Sequence, residues 1–116
     1  MNTVVPTKCR ALYQAFANMQ AQGTLRSLAD AEQMLITFGA KVEQKNTIDL
    51  DLLIFGQEYQ ERLFEYMIPL HDGSYATFYV DKNLGFGCGD ELPDDCKKAI
   101  RKLHIQNSQN FLSTIH

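Results

Sequence analysis

The stretch "NLGFGCGDELPDDC", Asn83 to Cys96, gathers the densest set of chemistry-bearing residues in the chain. Gly85, Gly87 and Gly89 alternate with other residues, Cys88 sits among them, and Asp90, Glu91, Asp94 and Asp95 follow. Glycines ahead of a helix can bare backbone N–H groups to a phosphate, with the helix dipole adding to the attraction. The spacing here is G-x-G-x-G, however, and no lysine follows in the first helical turn, as phosphate loops require. The four carboxylates stand where the anion would sit. The same acids suit the positive end of a helix, by about 0.3–1 kcal/mol each. Lys97, Lys98, Arg101 and Lys102 lie toward the other end and complete that polarity. The pattern reads as helix stabilisation.

Metal chemistry fails on spacing too. A calcium loop counted from Asp81 puts Phe86 where the sharp turn needs glycine, and Leu92 where a bidentate glutamate is needed. The carboxylates alone make at best a loose site for a hard cation. Cys88 and Cys96 match no common zinc pairing, and His71 and His104 are remote in sequence. Cys88 reads as an exposed loop thiol. With His71 it makes a nucleophile–base pair only if the fold brings the two together. No Ser/His/Asp order or H-E-x-x-H motif is present. We assign no catalytic residue, no metal and no cofactor.

Charge is the stronger signal. The net value is only −3 over 116 residues, but residues 47–95 hold eleven Asp/Glu against two Lys/Arg, a net −9. The flanks are at +2 and +4. Such a field disfavours direct nucleic-acid binding, which wants a basic footprint, and favours a basic protein partner. Three cysteines are odd in number and unpatterned, which fits a reducing, cytoplasmic setting. Lys8 and Arg10 break up the N-terminal apolar residues, and no run approaches the roughly 20 residues that span a bilayer. Neither a signal peptide nor a membrane role is expected.

The elements that position these residues follow from periodicity. Pro6 opens a helix whose stripe is Cys9, Leu12, Tyr13, Phe16 and Met19, stopped at Gly23. Ser27 and Asp30 fit a capping box for a second helix with the stripe Leu28, Ala31, Leu35 and Phe38, ended at Gly39. A short link makes the two a helical hairpin. "AKVEQ" reads as a short strand. "TIDLDLLIF" alternates as a half-buried strand with Asp49 and Asp51 on the face opposite Ile48, Leu50 and Leu52. "GQEYQERLFEYMIPL" is ambiguous: its first half is rich in helix formers, with Glu58 and Arg62 spaced as a helical ion pair, while its second half reads as strand and the turn that follows favours strand. Asp72-Gly73 is a strong hairpin signal. As a two-residue turn it pairs Tyr66 with Tyr79 on one face and Met67 with Phe78 on the other. A short strand, "LGFG", precedes the final helix, whose stripe is Cys96, Ala99, Ile100 and Leu103.

These elements give an α+β fold: helical hairpin 6–39, an antiparallel sheet of three to five strands within 40–87, a C-terminal helix 93–104 and a tail 105–116. The chain is expected to form one domain with its helices on one face of the sheet. The other face is expected to carry Asp49 and Asp51 among exposed Tyr66, Tyr75 and Tyr79. This reads as a non-enzymatic binding protein (inhibitor, immunity-type or adaptor) using an acidic, aromatic surface on a basic partner. The alternative is a small-ligand domain or small enzyme with a pocket between helices and sheet lined by Phe64, Tyr66, Phe78 and Phe86. Homodimerisation through an edge strand stays open.

Overall fold

A computed structural model describes residues 6–89, 92, 94 and 96–102 of the chain. Leu103 and the tail 105–116 lie outside the described residues, as do Asp90, Glu91 and Asp95 of the carboxylate cluster. Helix α1, Thr7–Gln22, starts at Pro6, and its last carbonyls are bonded by the amides of Gly23 and Thr24. Its face buries Cys9, Leu12 and Phe16. Helix α2, Leu28–Thr37, is capped as its sequence predicts: Ser27 Oγ accepts from the Asp30 amide. The Asp30 carboxylate reaches one residue further back than a standard box, to the Arg26 amide. "AKVEQ" is no strand; Val42–Gln44 forms a single 3-10 turn.

Four strands follow: β1 Asn46–Ile54, β2 Gln57–Pro69, β3 Tyr75–Asp81 and β4 Phe86–Cys88. They form one antiparallel sheet in chain order, so β1 and β4 are its edges. The whole of 57–69 is strand, which resolves the ambiguous segment against its helix propensity. Cross-strand pairing with β1 overrides that weak preference. Arg62 accordingly reaches across to Asp49 on β1 instead of along a helix to Glu58.

The pairing of β2 with β3 differs by one residue from the two-residue-turn register. Tyr66 faces Phe78, and Glu65 faces Tyr79. The cause is the turn. The Gly73 amide bonds to the Leu70 carbonyl and the Leu70 amide to the Ser74 carbonyl, so the loop has three residues, His71 to Gly73. Gly73 takes φ +85 as the bulge residue of a type I turn, and Asp72 is not left-handed as a type I′ turn demands. An odd loop shifts the register by one, and a one-residue shift exchanges the faces. Tyr66 and Tyr79 therefore sit on opposite faces of the sheet.

Both faces are covered. On one, α1 and α2 pack Cys9, Leu12, Phe16, Ala31 and Leu35 against Tyr66, Ile68, Phe78, Val80 and Cys88. Phe16 meets Phe78 and Phe86 at centroid distances of 5.1 and 5.2 Å. On the other, a third helix, α3 (described over 96–102), places Ile100, Ala99 and Cys96 against Ile48, Leu50, Leu63 and Tyr79. The expectation of helices on a single face is corrected: α3 lies opposite the hairpin. An amphipathic stripe tells a helix to bury one side, and the Ile48/Leu50 face supplied an apolar surface for it.

Candidate functional site

The glycine stretch resolves into a turn and an edge strand. Asp81 Oδ1 accepts from the amides of Asn83 and Gly85, at 2.7 and 2.9 Å. Its carboxylate occupies the space that a Cβ on residue 85 would need, so a glycine belongs there. These amides are used inside the turn and are not aimed at an anion. Cys88 is buried against α1, with Sγ donating to the Cys9 carbonyl at 3.6 Å, which corrects its expected exposure. His71 stays exposed in the β2–β3 turn. Among the described residues no group of three or more His, Cys, Asp or Glu side chains is placed to hold a metal ion. No described helix is long and apolar enough to cross a membrane.

Of the five residues expected on an exposed acidic and aromatic face, the structure leaves three at the surface. Asp49, Asp51 and Tyr75 are exposed, whereas Tyr66 and Tyr79 are buried. Each buried tyrosine hydroxyl bonds a glutamate. Tyr66 donates to Glu32 Oε2 at 2.9 Å, and Lys45 Nζ bonds the same oxygen at 2.8 Å. Tyr79 donates to the buried Glu65, whose other oxygen accepts from Asn46 Nδ2 at 3.1 Å. Burial first, and the neighbouring carboxylate second, push both phenols well above their ordinary range. Such groups are poor nucleophiles and good structural ties. The buried role of Glu65 was not read from sequence, where it looked like one more surface acid. The pocket expected between helices and sheet is filled: Tyr66 and Phe78 are fully buried, and Phe86 packs edge-on against Tyr13 and beside Phe16.

What remains at the surface concentrates in the hairpin of β1 and β2. β3 begins pairing with β2 only at Leu63, so pairs from Asp49↔Arg62 to Ile54↔Gln57 project past it as a two-stranded ribbon. Its turn is Phe55-Gly56, with φ of +51 and +78, the geometry of a type I′ turn. Asn-Gly is the usual choice there. A bulky residue held left-handed costs about 1–2 kcal/mol. Nothing in the fold offsets that cost, because the Phe55 ring is fully exposed (102%). Leu53 (69%) and Tyr59 (47%) flank it, making an apolar tip.

Acids ring this tip. Asp49 receives Arg62 Nε at 2.7 Å, and that hydrogen bond holds its carboxyl below the usual range. Asp51 lies opposite Gln60 and has no ion-pair partner among the described residues. Glu58 and Glu61 add to the field from β2. Three other acids of the −9 block have local duties: Glu65 in the core, Asp72 on Ser74, Asp81 in its turn. The Ser74 hydrogen bonds hold the Asp72 carboxyl low as well. Phe64, Asp49, Asp51, Arg62 and Lys82 line a cleft of about 540 Å³ at the ribbon's base. The tip was missed in the sequence because Phe-Gly is an uncommon turn pair; the signal was Gly56 closing an alternating strand.

No protein-family model, curated protein or solved structure matches this chain.

Proposed function

We propose that the protein is a small non-enzymatic binding protein, of the inhibitor, immunity or adaptor kind, that presents the β1–β2 ribbon to a basic protein partner. The observation that carries this reading is Phe55. A fully exposed aromatic ring, held in an unfavourable backbone conformation at the end of a projecting hairpin, serves no folding purpose. Backbone strain of this kind is a pointer to function, and aromatic anchors in partner pockets dominate interface energies. Asp49, Asp51, Glu58 and Glu61 around it would steer a positively charged surface onto the tip. The small-ligand alternative has less support, because Tyr66 and Phe78 are buried in the core and Phe86 packs on it, which leaves only Phe64 beside a cleft.

The test starts with affinity capture from the native host and identification of the partner by mass spectrometry. Capture is then repeated with Phe55→Asn, which suits the left-handed position, and with Asp51→Lys. Neither variant should lower the melting temperature. Phe55→Asn should weaken capture by slowing nothing and speeding dissociation, and Asp51→Lys should lower the association rate at low salt. An acidic partner, or capture indifferent to both substitutions, rules this reading out.

A further inference from the structure

The outer edge of β1 is the second unclaimed feature of the ribbon. Among the described residues β1 pairs with β2 alone, so one side of its backbone has no partner strand. In a two-residue hairpin the pair closing the turn exchanges both hydrogen bonds, and bonded residues then alternate along the strand. Counting from Ile54↔Gln57, the residues bonded to β2 are 54, 52, 50, 48 and 46. Thr47, Asp49, Asp51 and Leu53 therefore turn their N–H and C=O groups outward. Natural edges are usually blunted by proline, lysine or a bulge. This nine-residue edge has none of these between Asn46 and Ile54; its only charges are Asp49 and Asp51, which oppose a like edge and admit a basic one.

A second copy is a poor occupant in every two-fold register that overlaps seven or more residues of β1. Two-fold antiparallel pairing of β1 with itself, centred on Asp49 or on Asp51, sets that aspartate against its own copy. Centred on Leu50, it sets Asp49 opposite Asp51 twice. Like charges directly opposite are destabilising. The side chains instead describe a different strand. Residues facing the outward-bonding Asp49 and Asp51 would lie beside two carboxylates, while the intervening residues would extend the Ile48, Leu50 and Leu52 face. From this geometry we infer that the β1 edge accepts an extended segment of a partner, alternating Lys or Arg with apolar residues, as an added fifth strand. The inference rests on the basic-partner reading above and names how that partner is held. Main-chain bonds supply affinity in this mode, and alternate side chains supply selectivity.

The experiment uses the full chain and a short synthetic peptide of alternating lysine and valine. Two control peptides have a central valine replaced by proline, or every lysine replaced by glutamate. The lysine–valine peptide should slow hydrogen exchange at the Asp49 and Asp51 amides and bind at least about tenfold more tightly than the proline peptide, since one lost strand position costs that much. Asp51→Lys, which breaks no ion pair in the fold, should weaken lysine–valine binding and narrow its lead over the glutamate peptide. Equal binding of the proline peptide, with exchange unchanged, reduces the contact to charge alone and overturns strand addition while leaving the basic-partner reading intact. No lysine–valine binding, beside partner capture that still depends on Phe55, also overturns it. So does a dimer in sedimentation whose β1 amides are protected without peptide, because the edge then belongs to a second copy. Peptide binding with amide protection, beside partner capture indifferent to Phe55→Asn, supports the edge site and sinks the tip reading instead.

Discussion

Strand β2 passes through two environments, and its two halves behave as different materials. From Leu63 to Pro69 it lies between β1 and β3 at its start and against β3 throughout, with Tyr66 and Ile68 under the helical hairpin and Leu63 and Glu65 buried on the α3 side. From Gln57 to Arg62 it has β1 on one side and solvent on most of the rest. The buried half is chosen for packing: large residues in contact, and each polar group given a partner. The projecting half keeps Phe55, Leu53 and Tyr59 in water at the tip. Isolated two-stranded hairpins are marginal on their own. This one persists because its base is continuous with a packed sheet, and Ile48 and Leu50 of β1 are held under α3.

Substitutions can test how sharp that division is. Phe78→Ala, in the packed half, should cost about 3–5 kcal/mol in denaturant unfolding, as large-to-small changes of buried aromatics do. A loss below 1 kcal/mol would mean that the hairpin of helices does not close on the sheet. Gly73→Val should cost more than about 1 kcal/mol, because valine is forced to positive φ. An unchanged midpoint would remove the bulged turn and with it the face assignments. Glu65→Ala leaves the Tyr79 hydroxyl buried without its acceptor and should cost about 1–3 kcal/mol. The paired change Glu65→Leu with Tyr79→Phe should cost less than the sum of the single changes, which a double-mutant cycle would read.

Alkaline pH should separate the halves as well. Folding raises the Tyr66 and Tyr79 pKa values, so the stability they contribute is whole below the unfolded value of about 10 and falls as pH rises beyond it. Monitored by ultraviolet absorbance, these two phenols should ionise only as the chain unfolds. Tyr66→Phe should flatten the fall in stability, and an identical profile would break the burial argument. The smallest effect belongs to the tip: Phe55→Asn should leave stability unchanged or raise it by up to about 1 kcal/mol by relieving the left-handed phenylalanine. A clear destabilisation would show that Phe55 serves the fold after all.

Local signals in the sequence carried much of this architecture. The α+β class, both helix stripes, the Ser27 cap and the positive φ at Gly73 follow from patterns within a few residues. What was not legible depends on parity and on partners. Asp-Gly announces a hairpin without saying whether two or three residues close it, and that one residue decides which face Tyr79 occupies. Gln57 to Arg62 contains good helix formers, and only the presence of β1 alongside makes it strand. The stripe of α3 declares an apolar side but not which face of the sheet it meets. Glu65 looks like surface because the donors to its carboxylate, Tyr79 and Asn46, are distant in sequence. Asp49 and Asp51 are exposed, as their alternation predicts, but on the helical-hairpin side of the sheet, whereas Phe55, which carries the proposal, reads from sequence only as the end of a strand.

Mechanically, the ribbon is a cantilever. Leu52 is the last β1 residue packed on the α3 cluster, so the two pairs beyond it give a free length of roughly 7 Å at the usual strand rise, plus the Phe55-Gly56 turn. β2 runs without interruption from the free end into the clamped end, so a load on Phe55 is carried by the same backbone that holds Leu63 and Tyr66 in the two cores. A partner that pulls on the tip would therefore be pulling on a covalently continuous beam, and the force at which it lets go should be limited by the contact it makes and not by peeling of the sheet.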